Sequence, residues 1–266
     1  MDASELYDPE FRELIKSKKP TIIIPVGSLE QHGAHLPITT DSDIITEIAS
    51  RLAKKCGFIV FPTVNYGISE EHDPLINVNI TKENLFQFLN DIIISLIRKD
   101  EKLRLSYIIL NGHHGNVDVL DRFKQGWDAP IQTRQDQHDW GGLKEVRHVP
   151  QPRNRKGQRY NPLGKLEIFH YWKFMNHEFD HAGFVETSIM LAISDKVKMK
   201  KAKKGLITKG LSKKEKERIS KLSTKVGGFP KVAKNGVWGD PTDATKKDGE
   251  KFLAEIVRNL AKECQT

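Results

Sequence analysis

The sequence predicts a single α/β domain whose mostly parallel sheet is flanked by helices. Three observations carry that expectation. Short β-branched apolar runs alternate with amphipathic helical stretches along the first half of the chain, and this alternation builds a parallel sheet covered on both faces. At 266 residues the chain is long enough for one large α/β domain with a substantial core. A composition that is 38% hydrophobic and 8% aromatic suits a globular protein and argues against wholesale disorder.

The elements follow in order. TIIIPVG (21–27) is a short apolar run closed by glycine, the pattern of a buried strand. From Asp41, placed as a helix N-terminal residue, DSDIITEIASRLAKKC repeats apolar residues at Ile44/Ile45, Ile48/Ala49 and Leu52. GFIVFPTVNYG (57–67) reads as a second strand running into a loop. Thr81 can cap the helix of TKENLFQFLNDIIISLIRKD, with Leu85, Phe88/Leu89, Ile92 and Leu96 on one face. LSYIILNG (105–112) is the third buried strand, and NVDVLDRFKQG begins the next helix. Residues 127–173 hold Trp127, Trp140 and Trp172 and the Pro/Arg-rich PQPRNRKGQRYNP without a clear period, so a long excursion from the sheet is expected there. The helical pattern returns at HAGFVETSIMLAISDKV (181–197), and a terminal helix starting at Thr242 or Asp243 turns Phe252/Leu253, Ile256/Val257 and Leu260 inward.

Composition also bounds the function. No apolar run approaches the roughly 20 residues that span a bilayer, and the acidic, polar start MDASELYDPEFRELIKS does not read as a signal peptide. Cys56 and Cys264 are too few for a disulfide framework or a thiolate metal cluster, so reduced thiols in a cytoplasmic protein are expected. The net charge of +8 is concentrated: twelve Lys/Arg against Glu215 and Glu217 between Lys196 and Lys221 leave the rest of the chain at −2. Such a tract is read as a solvated helix or loop, and nucleic acid is not the expected partner.

The chemistry gathers after the strands. VGSLEQHGAHLPITTD (26–41) brings Glu30, His32, His35 and Asp41 to the end of strand one; Glu70, Glu71 and His72 follow strand two; Asn111, His113 and His114 follow strand three. Ligands in open parallel sheets bind beyond the carboxyl ends of the strands, so three loops deliver metal-type side chains to one edge. Imidazole with carboxylate is a ligand set for Zn²⁺, Mn²⁺ or Fe²⁺. Glu30 and His32, two apart on an extended loop, face one side. Asp41 lies far enough along to double back as a third ligand, and His113 enters from the next loop between Gly112 and Gly115. A carboxylate bridging two ions would create a centre that acidifies a shared water.

GSLEQHGAHLP…D, YGISEEH, IILNGHHGN, HAGFVETS and GVWGDPTDAT, in that order, resemble the creatininase (creatinine amidohydrolase) superfamily over roughly residues 20–121 and 180–260. The resemblance implies an α/β hydrolase of C–N bonds with two divalent metal ions per chain (Zn, Fe or Mn), assembled as a trimer-based or hexameric homo-oligomer. It implies Glu30, His32, Asp41 and His113 as metal ligands, Asp41 bridging. Glu186 would be a further ligand, or hold a ligand or the nucleophilic water, and His181 would donate a proton to the leaving nitrogen or stabilise the oxyanion. His114 and His72 are the expected substrate contacts. The chain departs from the pattern of creatininase itself at Gly115, where NGHYEN has a metal-holding Glu, and at PLINVN (74–79), where Phe-Pro-Gly-Thr is usual. The first departure points away from creatinine.

The leading expectation is therefore an amidohydrolase acting on a small amide or formamide. A formylamino-pyrimidine nucleotide of flavin or F420 biosynthesis is one such substrate, its phosphate met by Arg153, Arg155, Lys156 and Arg159. Creatinine hydrolysis and cleavage of a small peptide are alternatives within the chemistry. A non-catalytic polyanion binder using the 196–221 lysines is the alternative outside it, and would lose affinity steeply with salt.

Overall fold

The computed structural model describes residues 1–97, 105–128, 164–178 and 180–265. Four parallel strands form one sheet in the order β2-β1-β3-β4: β1 Ile22–Val26, β2 Ile59–Val60, β3 Ser106–Asn111 and β4 Lys165–His170. Eight helices are described: α1 Asp8–Ser17, α2 Thr40–Cys56, α3 Lys82–Ile97, α4 Val117–Asp128, α5 Phe184–Ile193, α6 Lys213–Ser223, α7 Phe229–Val232 and α8 Lys246–Glu263. This is the expected single α/β domain.

Period-two alternation along β1 sorts the core into two layers. Ile23 joins Ile44, Ile48, Leu52, Val185, Ile189, Leu253 and Ile256, so α2, α5 and α8 cover one face. Ile22, Ile24 and Val26 join Leu85, Leu89, Leu120, Phe123 and Trp127, so α3 and α4 cover the other, with Ile15 of α1 at its margin. β1 and β3 are central and buried almost throughout, which is why they read as unbroken apolar runs.

Three elements differ from expectation. The excursion at 127–173 is shorter than the sequence suggested. Trp127 is the buried last turn of α4 and donates its indole N–H to the Gly164 carbonyl (3.2 Å). Lys165–His170 returns as the fourth strand, paired with β3 in register from Ser106↔Lys165 to Asn111↔His170. Its half-exposed edge position left it without an alternation that stands out from the residues before it. Trp140 and the four proposed phosphate-clamp residues lie outside the described residues. The last helix starts two or three residues later than expected, at Thr245, whose hydroxyl accepts from Asp248 N–H (3.1 Å). The helix expected over 181–197 is confined to α5, because Asp180, His181 and Gly183 shape the loop before it. No described helix is long and apolar enough to cross a membrane.

The chain switches direction across the sheet between β1 and β3, since β2 lies outside β1 and β4 outside β3. The loops leaving β1 and β3 therefore diverge and open a crevice at their carboxyl ends.

Candidate metal centre

Glycines and carboxamides bring the loops together. A Cβ at Gly112 would fall 2.8 Å from the Asp41 carbonyl, so only glycine lets the end of β3 touch the first turn of α2. Asn116 accepts from Ile68 N–H (3.0 Å) and donates to the Gly27 carbonyl (3.0 Å). Asn111 donates to the His113 carbonyl (2.8 Å) and accepts from His113 N–H (3.1 Å). The departing segment PLINVN pairs with the first loop, Ile76 O accepting from Gln31 N–H (2.8 Å) and Val78 N–H donating to Leu29 O (2.8 Å), so it braces Glu30 from one side.

The residues expected as metal ligands, proton donor and substrate contacts all reach this crevice, whereas the phosphate-clamp residues lie outside the described residues. Glu30, His32, Asp41, His72, His113, His181 and Glu186 are buried. Asp41 stands at the middle: Oδ1 is 3.1 Å from His32 Nε2 and Oδ2 is 2.9 Å from His113 Nδ1. Glu186 Oε2 is 3.5 Å from His32 Nε2, and Glu30 Oε2 is 3.2 Å from His113 Nε2. His72 Nε2 lies 3.1 Å and His181 Nδ1 3.8 Å from Glu30 Oε1. His114 is exposed, stacks on Trp172 with ring centroids 5.8 Å apart, and lines the cavity mouth.

The ligand-capable atoms fall into overlapping clusters. Glu30, Asp41 and His113 form one, His32, Asp41 and Glu186 a second, and Glu30, His32 and His181 a third. Two further features fit divalent cations. Glu30 Oε1 and Oε2 and Asp41 Oδ2 are buried without accepting a hydrogen bond, although imidazole nitrogens lie 2.9–3.2 Å away. Close approach without hydrogen-bond alignment is what groups aimed at a common point show, and orphaned buried carboxylate oxygens are otherwise costly. Each imidazole facing Asp41 also has its other nitrogen tied to a main-chain carbonyl, His32 Nδ1 to Glu30 O (3.1 Å) and His113 Nε2 to Ile68 O (2.7 Å). In the neutral rings that leaves His32 Nε2 and His113 Nδ1 as lone pairs facing Asp41, the arrangement typical of metal-binding histidines, and without a cation protons take that place.

The electrostatics express the same demand for positive charge. Burial works to lower His32, but Asp41, Glu186 and Glu30 outweigh it and raise the imidazole to about 10. Burial likewise opposes, and Glu30 and Asp41 override, a shift of His113 well upward. Burial raises Glu186 to about 8, Asp41 and Asp180 adding to it and His32 opposing. Burial, with His32 and His72 beside it, pushes His181 well below the ordinary imidazole range, which keeps it neutral. Divalent cations would relieve the carboxylates that now draw protons onto His32 and His113.

Sequence reasoning gave no role to three contributors, Gln31, Asp180 and Ala182, and named Glu71 only among the metal-type side chains after strand two. Gln31 bonds to both His72 and His181. Glu71 Oε1 comes 3.6 Å from His113 Nε2 and lines the cavity. Asp180 accepts from the N–H groups of Val185 (2.8 Å) and Glu186 (3.4 Å), capping α5. Ala182, at φ +52, donates its N–H to Glu186 Oε2 (2.6 Å), a left-handed non-glycine conformation that costs about 1–3 kcal/mol and holds the carboxylate in place. The far wall of the cavity, about 210 Å³ in volume, comes from Ser220, Ser223 and Thr224 at the end of α6, from Phe229 and from Trp238. The lysine-rich segment thus carries a wall of the site on its last turn.

Residues 4–264 match the family described as creatininase, creatinine amidohydrolase. A mycofactocin precursor peptide peptidase of Mycobacterium ulcerans (strain Agy99) is 29% identical over 255 residues, 91% of this chain and 84% of that protein. A 2-amino-5-formylamino-6-ribosylaminopyrimidin-4(3H)-one 5'-monophosphate deformylase of Methanosphaera stadtmanae is 40% identical over 114 residues, 41% of this chain and 48% of that protein. Among solved structures, a creatininase variant described as Zn-Zn type superposes with a TM-score of 0.71 at 21% identity over 98% of this chain and 96% of its own, a likeness of fold. Another neighbour is described as the manganese creatininase.

Proposed function

Because the chain belongs to the creatininase family of hydrolases, we propose that it is a divalent-metal-dependent amidohydrolase cleaving the C–N bond of a small amide or formamide. The observation that carries this reading is the pair of clusters sharing Asp41, with the orphaned oxygens of Glu30 and Asp41 between them. Two ions, Zn, Fe or Mn, would supply a water acidified toward neutral pH and a Lewis acid for the carbonyl oxygen. Glu30, Asp41 and His113 would hold one, and His32, Asp41 and Glu186 the other. His181, neutral and lining the cavity, exchanges a proton at Nδ1 with the leaving nitrogen. His72 and His114 border the bound substrate, and Phe229 and Trp238 narrow the entry of water. The proposed assembly is a trimer-based or hexameric homo-oligomer in the cytoplasm.

Within this class, a formylamino-pyrimidine nucleotide is the first substrate to try, supported by the 40% identity to the Methanosphaera deformylase. Cleavage of a small peptide is the second reading, favoured by the near full-length match to the mycobacterial peptidase. Creatinine is disfavoured, since a Cβ at position 115 would sit 2.0 Å from the Ile68 carbonyl and no carboxylate side chain fits there. A pure polyanion binder is disfavoured because the basic segment ends in the cavity wall.

The test is elemental analysis of anaerobically purified protein beside Asp41→Ala, followed by turnover of formamides, lactams and peptides. About two metal equivalents per chain, mostly lost in the variant, are expected from a shared bridging carboxylate. No metal after reconstitution with Zn²⁺, Mn²⁺ and Fe²⁺ overturns the reading.

A further inference from the structure

Gln31 sits between Glu30 and His32 in sequence, and its side chain turns into the angle between His72 and His181. It is buried and boxed by two glycines. Gly33 donates its N–H to Gln31 Oε1 (3.0 Å), and a Cβ at Gly236 would fall 1.8 Å from that same oxygen. The Gly33 bond fixes which way the carboxamide faces, because the flipped amide would set its NH₂ against another N–H donor. The NH₂ group therefore faces the imidazoles, 2.8 Å from His72 Nδ1 and 3.1 Å from His181 Nε2.

The consequence differs for the two rings. His72 Nδ1 meets only a donor in Gln31, so it must accept, and the ring proton resides on Nε2, which lies 3.1 Å from Glu30 Oε1 without hydrogen-bond alignment. His181 Nε2 meets partners of both polarities, the Gln31 main-chain carbonyl at 3.0 Å and the carboxamide NH₂ at 3.1 Å. It can donate to the first with Nδ1 bare, or accept from the second with Nδ1 protonated, without turning the ring. Nδ1 is the nitrogen that faces Glu30 Oε1 and the cavity.

We propose that Gln31 is the positioning residue of this centre, locking the proton of His72 on Nε2 while leaving His181 free to carry its proton at either nitrogen. The lock keeps an N–H, and not a lone pair, beside Glu30 Oε1, while Glu30 Oε2 lies beside His113. The freedom lets His181 give or take a proton at Nδ1 with its rear nitrogen bonded either way. The same contacts explain why Gly33 and Gly236 are glycines. The effect on cation affinity rests on the metal-centre reading above, whereas the tautomer assignment does not.

The test uses protein carrying ¹⁵N-labelled histidine, with two-bond ¹H–¹⁵N correlation spectra of the imidazoles and with Zn²⁺ affinity measured by chelator competition. A His72→Gln spectrum identifies the His72 signals. The metal-free native protein is expected to show His72 with a bare Nδ1 and a protonated Nε2. Gln31→Glu, which presents an acceptor to the same nitrogen, moves the proton to Nδ1 and weakens Zn²⁺ binding about 10–100-fold, the usual effect of losing a partner that orients a ligand. Gln31→Met, similar in size without the amide, gives a mixture of His72 tautomers and lowers kcat more than it raises KM. A proton on His72 Nδ1 in the native protein overturns the proposal without any variant. An unchanged tautomer in a folded Gln31→Glu, or Zn²⁺ affinity within twofold of native, overturns it as well. Native protein that binds no Zn²⁺ sinks the metal-centre reading instead, and its metal-free spectrum still decides the tautomer.

Discussion

Gly115 shows how little room the centre leaves at the scale of a single residue. Its absent Cβ would meet the Ile68 carbonyl at 2.0 Å, His113 Nε2 at 2.5 Å and Glu71 Oε1 at 2.8 Å. Gly115→Ala is therefore expected to destabilise the fold by about 1–3 kcal/mol, the range for overpacking a tight site. It should also loosen His113 from the Ile68 carbonyl; a thermal midpoint equal to that of the native protein would contradict this. The sequence marked Glu30, His32, Asp41 and His113 because their residue types and spacing were themselves unusual. Gln31, Asp180 and Ala182 carried no such mark, since a glutamine, a carboxylate or an alanine in a loop acquires its role only from what the fold sets against it.

Among the elements, α8 separates local signals from tertiary ones. Thr242 and Asp243 look like helix starters, yet Thr242 Oγ1 donates to Asp240 in the turn before the helix, and Thr245 provides the cap. Thr245→Ala should cost about 1 kcal/mol, the usual loss of a side-chain cap, and Thr242→Ala distinctly less. Chemical denaturation of both variants gives the comparison, and equal losses would place the helix start wrongly. Gly249 lies inside the same helix although glycine costs about 1 kcal/mol against alanine there. A Cβ would come 1.9 Å from the Ser188 carbonyl, so glycine is what lets α8 lie directly on α5, the helix that carries Glu186. Periodicity announced β1, β3 and the helix cores because those elements bury a whole strand or a continuous stripe. It missed β4, whose edge position leaves the alternation incomplete.

For the whole molecule, the concentration of buried charge fixes the sign of a pH dependence. Glu186, raised by burial to about 8, contributes stability that is complete below the ordinary carboxylate range and is lost as pH climbs to 8. His32, raised to about 10 by its carboxylate neighbours against burial, contributes stability complete below about 6.5 and lost as pH rises further. His35, lowered to about 4 by burial, behaves oppositely, and its contribution is already complete above about 6.5. Between pH 6.5 and 8 the first two therefore decline unopposed by the third, and the metal-free protein should lose stability across that window. Added Zn²⁺ should stabilise it more as pH rises, because protons leaving His32 and Glu186 free the ligands. Scanning calorimetry with and without Zn²⁺ checks this; a metal-free midpoint that rises through the window would reverse the assignment of the charges.

The sequence by itself determined the class of the fold, the edge of the sheet where chemistry collects, and the residue types of the metal-capable clusters. These follow from periodicity and from side-chain composition, which are local properties. The tertiary structure decided which atoms of those residues face one another, that a fourth strand joins the sheet beside β3, and that the basic segment ends as a wall of the cavity. The reason is physical. Which nitrogen of an imidazole is bare, and which carboxylate oxygen is orphaned, depends on partners many residues away, brought into hydrogen-bond range only when the loops of β1 and β3 close against α2 and α5.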